Sequence, residues 1–336
     1  MTPVELSRTV LRAVRRAVEA GELSVVVPER VQVTVPGAGG CGDYATNVAL
    51  RLARPAGRTA GQVAGIIRPY LRAAPGIADV AVTGPGFLNI SLDRAAATGA
   101  LVSEILRRGS RYGHGDALAG QVIELRVPYD TRAEVVADTL VRIVGSQGGR
   151  AEVRHAEPVN LRPVPAPEDP ALLGPDAARW ALLHPAPHDR PRITADHLVQ
   201  RASNPLFRVR YAHARTRALS RNAAALGYTG APGDLPEARD LPNATSASPA
   251  PLADLSDLAE YPRVLTAAAT HRSPDRLARH LVTVADAFLG YQHTVLPLGD
   301  EKPSAAHRAR LALAEAAGAV LAGGLSLLGI SAPEYL

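Results

Sequence analysis

Six arginines recur at helical spacing in the segment from residue 193 to residue 227. They fall on two neighbouring stripes of one helix, the first with members seven residues apart. The stripes consist of Arg201, Arg208 and Arg215, and of Arg210, Arg217 and Arg221. Because guanidinium groups bind phosphate oxygens in a planar, bidentate geometry, such a ridge could hold a nucleic-acid backbone. A solvated helix face produces the same spacing, so both interpretations stay open.

The same segment carries Tyr211 and His213 within the run YAHAR. A tyrosine here could stack on an unpaired RNA base, although a tyrosine packed in a core fits the pattern equally well. We interpret His213 as a structural histidine that makes a hydrogen bond.

A second candidate site lies in the run GFLNISL, where Phe87 and Asn89 are two residues apart. On a strand, side chains two apart share a face. An aromatic ring beside an amide suits the recognition of one flipped-out base. The alternative is that Phe87 belongs to the core and Asn89 to a turn.

Other patterns predict no chemistry. GAGGCG (37–42) is rich in glycine but lacks the Lys-Ser/Thr of a phosphate-binding loop. His184 and His188 stand in a proline-interrupted run, HPAPH, which does not have the spacing of a zinc site. Because no nucleophile elbow or Cys-His pair is present either, we predict no catalytic residue, no metal and no cofactor.

The first 110 residues predict a compact α/β domain. Apolar residues at a four-residue step favour a helix over 4–20, and the strands near Pro85 predict a hairpin. The predicted elements are helix 4–20, strand 30–35, helix 43–54 capped by Asp43, helix 57–73, strands 80–84 and 86–92, and helix 93–109.

The remaining sequence predicts a small β-α-β unit followed by helices. The unit comprises strand 121–127, helix 131–147 and strand 151–157, and a proline-rich connector follows at 159–176. The helical part comprises 176–184, 193–227 interrupted before Pro205, a loop at 228–256, a helix that starts with the cap Ser273 and Pro274, and a last helix capped by Ser304 and ending near 328.

Composition narrows the class of protein only slightly. The net charge is +5, and Lys302 is the single lysine among 37 basic residues. This preference for arginine is typical of GC-rich coding. We found no charge-free apolar stretch of membrane-spanning length and no apolar centre of a secretion signal near the N-terminus. With Cys41 as the one cysteine, we expect a cytoplasmic protein that does not enter a membrane.

Three segments resemble arginyl-tRNA synthetases, and they occur in the order that this family has. They are GDYATNVALRLAR (42–54) with GPGFLNISL (84–92), then NPLFRVRYAHARTRALSR (204–221), and finally RLARHLVTVADAFLGYQHTVLPL (276–298) with the C-terminal run 310–336. The resemblance implies an N-terminal domain that contacts the D-loop of tRNA. It also implies a helical anticodon-binding domain, in which Tyr291 and His293 match aromatic positions near the anticodon loop.

The sequence departs from the family between these segments. Val135-Val136-Ala137-Asp138 stand where a His-x-Gly-His motif is expected, and the family's second, lysine-rich ATP motif has no counterpart because Lys302 lies far from its place. Both motifs stabilise the charge on ATP phosphates. We therefore expect the family's catalytic centre to be missing.

These observations predict three domains. They are an α+β N-terminal domain at 1–112, a small α/β remnant of a class I nucleotide-binding fold at 113–192, and an all-α anticodon-binding-type bundle at 193–336. The expected ligand is tRNA, with arginine tRNA favoured. The alternatives are an interaction module for an intact synthetase or a biosynthetic enzyme, a factor that delivers charged tRNA, and, least favoured, residual ligase activity.

Overall fold

The computed structural model describes residues 3–34, 36–37, 41–233 and 256–336. The chain divides into two compact units, Met1–Thr98 and Gly99–Leu336. The domain boundaries predicted at 112 and 192 both fall inside the second unit, and the three-part division stays a prediction.

The first unit buries one face of each of its long helices. In α1 (Pro3–Glu19), Leu6, Val10 and Val14 are fully buried, which confirms the helix predicted from the four-residue step. Helix α3 (Ala60–Arg72) begins with a capping box, in which the Thr59 hydroxyl accepts from the Gln62 backbone and the Gln62 side chain accepts from the Thr59 backbone.

These helices pack with a three-stranded antiparallel sheet of order β1-β3-β2. Its strands are β1 (Tyr44–Thr46), β2 (Ile77–Thr83) and β3 (Phe87–Leu92). The β2–β3 hairpin confirms the strand pair predicted at 80–84 and 86–92. Leu88 and Ile90 are fully buried, which assigns Phe87 and Asn89 to the opposite face of β3.

The region around β1 differs from two predictions. The helix predicted over 43–54 begins only at Val48 (α2, Val48–Ala53), because residues 44–46 pair with β3. Asp43 does not cap α2, since its carboxylate accepts a hydrogen bond from the Leu92 backbone nitrogen at 2.9 Å. Of the strand predicted at 30–35, the described residues retain one bridge, between Thr34 and Ala45. Tertiary pairing has overridden local propensity here.

The second unit contains the predicted β-α-β element. Strands β4 (Val122–Arg126) and β5 (Arg150–Arg154) run parallel on either side of α5 (Thr131–Ser146) in the chain. Asp130 caps α5 by accepting a hydrogen bond from the Ala133 backbone nitrogen at 2.9 Å.

One side chain closes the edge of β4 that faces away from β5. The Asn160 amide donates to the Glu124 carbonyl at 3.0 Å, and its oxygen accepts from the Arg126 nitrogen at 2.8 Å. The backbone nitrogens of Asn160 and Leu161 both donate to the Arg126 carbonyl. The amide therefore imitates a peptide group of a third strand, and it satisfies backbone groups that a longer sheet would pair.

Helices make up most of the rest of the second unit. They are α4 (Arg94–Arg108, which begins in the first unit), α6 (Pro175–Leu183), α7 (Pro205–Ala225), α8 (Ser256–Thr270), α9 (Asp275–Tyr291) and α10 (Ala305–Leu328). Helix α8 was not predicted, and residues 234–255 of the predicted loop lie outside the described residues. The Ser273 cap was wrong, because its hydroxyl donates to the His271 carbonyl instead. Ser304 caps α10 as predicted, in a capping box with His307.

Helix α10 is the centre of the helical core. It is long and apolar enough, by length and composition alone, to cross a membrane. Arg308, Arg310 and Glu315 lie within it, so the helix is not a charge-free stretch. In the structure, 78% of its apolar window is buried inside the unit. Most of its surface is thus covered by protein, as in the central helix of a bundle.

A buried arginine joins α5 to the segment around α6. The Arg132 side chain is 1% exposed and donates to five backbone carbonyls at 2.7–3.0 Å. These acceptors belong to Val164, Leu182, Pro185, Ala186 and Asp189. Burial lowers the pKa of Arg132, with opposing contributions from Asp130, Asp189 and Asp275. The guanidinium therefore caps the C-terminal end of α6 and fixes the irregular chain that flanks it.

We predict that Arg132→Met lowers the free energy of unfolding by about 3 kcal/mol or more, because it leaves buried carbonyls without donors. Urea unfolding followed by circular dichroism would measure this loss. Arg162→Met, at an exposed arginine, is the control and should change stability by less than about 0.5 kcal/mol. Equal effects of the two substitutions would contradict the role assigned to Arg132.

We also predict an acid-sensitive component of stability at His184. Its ring stacks on Trp180 with centroids 5.1 Å apart, and burial lowers its pKa to about 4, with smaller effects from nearby cations. An unfolded histidine binds a proton below about pH 6.5, so stability should fall as the pH decreases from about 6.5 to about 4. The loss should be on the order of 3 kcal/mol. Urea titrations across this range should show a shallower fall for His184→Gln, and identical pH dependences would contradict this assignment.

Candidate nucleic-acid interface

Helix α7 carries most of the predicted arginines, and its start is fixed by Asn204. The Asn204 oxygen accepts from the Leu206 nitrogen at 3.1 Å, while its amide donates to the His197 and Val199 carbonyls. Pro205 occupies the first helical position, where the absence of an N–H costs nothing. Arg201 precedes this start and is exposed in a bend. Its assignment to a helical stripe was therefore wrong.

The first arginine row, Arg208 and Arg215, faces α9 and the turn that follows it. Arg208 forms an ion pair with Asp286 at 3.1 Å. Arg215 donates from Nε to the Gln292 side chain at 2.8 Å. Both guanidinium groups are thus bound by side chains of α9 and of the turn that follows it.

The second row, Arg210, Arg217 and Arg221, faces the C-terminal residues. Arg210 lies 3.3 Å from the Ser331 hydroxyl and 3.7 Å from Asp176. Arg217 pairs with Glu334 at 3.0 Å. The Arg221 guanidinium lies over the Tyr335 ring, 4.2 Å from its centroid.

His213 lies on the buried side of α7 and holds the same C-terminal residues. Its Nδ1 donates to the Pro333 carbonyl at 2.9 Å, and burial lowers the pKa of the imidazole. The structural role predicted for His213 is confirmed.

The net positive charge of the surface formed by the two arginine rows is therefore smaller than the sequence indicated. Its two rows contribute five guanidinium groups, and three carboxylates pair with them. Ion pairs at such partly exposed positions contribute only about 0–1 kcal/mol each. A polyanion can therefore displace the carboxylates at low cost.

Tyr211 is exposed between the arginines of the first row. Arg208, Tyr211 and Arg215 follow each other at helical steps of three and four, so they share one face of α7. The Tyr211 ring is 38% exposed and stacks on Phe207, with centroids 5.5 Å apart. The alternative of a tyrosine packed in the core was wrong, and an aromatic surface remains available for stacking.

Tyr291 and His293 differ in accessibility. Tyr291 is 8% exposed and packs edge-to-face against Phe288 at 5.6 Å, and burial raises the pKa of its hydroxyl. This placement favours a packing role for Tyr291. His293 is exposed in the turn Gln292–Thr294, next to the Gln292 that holds Arg215. Of the two, His293 therefore borders the first arginine row at the surface.

In the first unit Phe87 is exposed at the surface, but Asn89 is not. Phe87 is 40% exposed, whereas Asn89 is 2% exposed and donates to the Thr83 hydroxyl at 2.5 Å. Asn89 thus stabilises the β2–β3 hairpin, and neither the core position for Phe87 nor the turn position for Asn89 describes the structure. The aromatic ring alone is accessible to a base.

The residues expected to stand in place of a His-x-Gly-His motif, Val135–Asp138, have packing and pairing roles in the structure. Val136 and Ala137 are buried, and Asp138 pairs with Arg142 at 3.0 Å and with Arg179 at 2.5 Å. Burial alone would raise the pKa of Asp138, but the hydrogen bonds from Arg179 and Arg142 hold this pKa below its usual range. The same arginines donate to the carbonyls of Leu327 and Leu328. This part of α5 therefore joins α6 to the end of α10.

Two family models match this chain, one near each end. A family model described as "Arginyl tRNA synthetase N terminal domain" matches residues 5–92, and one described as "DALR anticodon binding domain" matches residues 209–336. The arginine–tRNA ligase of Renibacterium salmoninarum is 44% identical over 161 residues, which cover 44% of this chain and 29% of the ligase. The chain thus spans less than a third of that relative in the alignment.

A second relative can be aligned over its whole length, although its chain is longer than this one. The arginine–tRNA ligase of Pseudarthrobacter chlorophenolicus is 25% identical over 563 positions that cover both chains completely, although this chain has 336 residues. The arginyl-tRNA synthetases of Thermus thermophilus (14% identity, TM-score 0.53, all of both chains) and Plasmodium falciparum (8% identity, TM-score 0.52, 99% of both chains) share the fold. The chain is related to the arginyl-tRNA synthetases.

Proposed function

We propose that this protein binds tRNA without aminoacylating it, and that arginine tRNA is its ligand. The observation that carries the proposal is the first arginine row of α7, where Arg208 and Arg215 flank the exposed Tyr211. Tyr211 and Arg215 lie inside the region matched by an anticodon-binding family, and Arg208 directly precedes it. Guanidinium groups suit phosphate oxygens, and an exposed ring suits an unstacked base.

Exposed His293 extends this face beyond α7. Together with Arg208, Tyr211 and Arg215 it gives alternating cationic and stacking groups, which is the chemistry that single-stranded RNA loops require. Phe87 on the first unit offers a second stacking surface. Contact by the first unit with the outer corner of tRNA would use this ring.

The sequence supports the absence of catalysis. Val135–Asp138 replace the first ATP motif, and Lys302 cannot supply the second because it stands between α9 and α10. Val135–Asp138 contain neither a cationic nor an imidazole group of the kind that stabilises transferring phosphates.

The small sheet supports the same conclusion. Glu124, Arg126, Glu152 and Arg154 share one face of β4–β5 and form ion pairs there. Parallel sheets in nucleotide-binding folds are covered on both faces and are apolar on both. A charged face suits a sheet that water reaches, and Asn160 already occupies the edge where another strand would pair.

A second candidate function is docking to another protein, such as an intact synthetase or a biosynthetic enzyme. The outer edge of β5 pairs with no strand in the described part of the chain, and Val153 there is 41% exposed. An added strand from a partner would satisfy its backbone groups. RNA-free co-purification with such an enzyme would favour this function.

We predict submicromolar binding of an arginine tRNA transcript in a filter assay, weakening steeply as salt increases. Replacing Arg208 and Arg215 together by alanine should weaken binding roughly 10-fold or more and reduce the slope against salt, because each lost phosphate contact removes about 0.7–0.9 of that slope.

The control is Arg162→Ala, which removes an exposed arginine outside α7 and should change binding less than about twofold. Circular dichroism should show that the double variant is folded. Undiminished binding by the double variant would refute the assigned surface, and the absence of binding by the unmodified protein would refute the function.

A further inference from the structure

A second cationic surface lies away from α7, where α4 ends. A groove of about 590 Å³ opens there between the end of α4, the following turn and the end of α5. Its lining consists of Arg107, Arg108, Arg111, His114, Gly115, Gly145, Ser146 and Gly148. No arginine of α7 contributes to it, so the two surfaces are separate.

The charges at this groove do not balance. One carboxylate, Glu104, pairs with both Arg107 and Arg108. Arg111 is exposed and forms no ion pair with any described residue. Two of the three lining arginines pair with the same carboxylate and the third pairs with none, so the lining keeps a surplus of positive charge. The hydrogen bonds from Arg107 hold the pKa of Glu104 below its usual range, so this carboxylate stays ionised.

The positive charge of the groove also affects the protonation of His114. Burial lowers the pKa of its imidazole, and the charges of Arg111 and Arg108 lower it further. The ring is thus neutral near pH 7 and can donate one hydrogen bond to an anion. The groove then offers neutral and charged donors side by side.

The backbone around these side chains is held in place. Arg108 donates to the His114 carbonyl at 3.1 Å, and the Tyr112 hydroxyl donates to the Leu258 carbonyl at 3.2 Å. Gly113 adopts a φ of +81°, where an added Cβ would lie 2.8 Å from the Tyr261 ring. The turn is therefore fixed before any ligand arrives, which reduces the entropy lost on binding.

The end of α5 leaves room for an anion. Helix C-termini repel anions through their exposed carbonyls, but here the Ser146 carbonyl accepts from Gly115 and the Val144 carbonyl accepts from Gly149. An added Cβ at Gly145 would meet no atom within 4 Å. The wall of the groove is thus open, and its terminal carbonyls are already occupied.

We propose that this groove binds phosphate groups of an RNA backbone, as a second contact that rests on the tRNA-binding function proposed above. Exposed guanidinium groups that converge on an open, polar groove match phosphodiester oxygens, which accept bidentate hydrogen bonds. The groove reads no base, so its contribution is independent of sequence and sensitive to salt.

The test uses two substitutions with opposite expected effects on binding of a tRNA transcript by the full chain. Arg111→Ala should weaken binding about 3- to 10-fold and reduce the slope against salt by about 0.7–0.9. Glu104→Gln removes the competing carboxylate and should tighten binding about 2- to 5-fold.

Matched controls are Arg162→Ala and Glu157→Gln, which make the same charge changes at an exposed pair of the same unit, 3.7 Å apart. Each should change binding less than about twofold. If the groove variants behave like these controls while the unmodified protein binds tRNA, the groove proposal fails and the function stands. If the unmodified protein binds no tRNA, both fail.

Titration calorimetry with inorganic phosphate separates the two sources of a phosphate group. We expect no measurable heat at millimolar phosphate, since a single free anion gains only part of the contacts of a backbone. Saturable phosphate binding that Arg111→Ala abolishes, with unchanged tRNA binding, would assign the groove to a free anion and overturn the proposal.

Discussion

The Arg132 guanidinium, buried beneath α6 with five backbone carbonyls around it, organises the middle of the chain. The segment from Val164 to Asp189 has one short helix and little other regular structure, so its carbonyls need donors from elsewhere. Arg132 alone donates five hydrogen bonds to these carbonyls. Because α5 carries this arginine and α10 packs beside it, the irregular segment is fixed to the helical core on which α7 also lies. The positions of the candidate RNA-binding side chains depend on that core.

The β4–β5 sheet shows how a two-stranded parallel element can be stable inside a mostly helical unit. Its apolar face packs on α5, its other face carries ion pairs, and Asn160 replaces a neighbouring strand at one edge. Each feature removes a requirement for further strands or helices. In the same region Val136 and Ala137 face the core and Asp138 binds Arg142 and Arg179, which supports the proposal that no ATP-binding motif is present there.

Periodicity and capping residues predicted α1, α5, α10 and the β2–β3 hairpin, because these depend on local sequence. Predictions failed where distant partners decide: residues 44–46 form a strand because β3 is beside them, and Asn89 is buried because Thr83 accepts from its amide. Arginine spacing predicted the rows on α7. It could not predict that Asp286 and Glu334, about 80 and 120 residues away, pair with them. Arg132 carried no recognisable signal, because an arginine in a first helical turn is ordinarily solvated.

We propose that the chain holds a tRNA by its anticodon arm and outer corner and has no site for the acceptor end. Hydroxyl-radical footprinting of an arginine tRNA transcript bound to the full chain tests both halves at once. We expect protected riboses in the anticodon loop and the D-loop, with the 3′ terminal nucleotides as reactive as in free tRNA. Protection of the 3′ end, or a bound complex whose anticodon loop stays fully reactive, would contradict it.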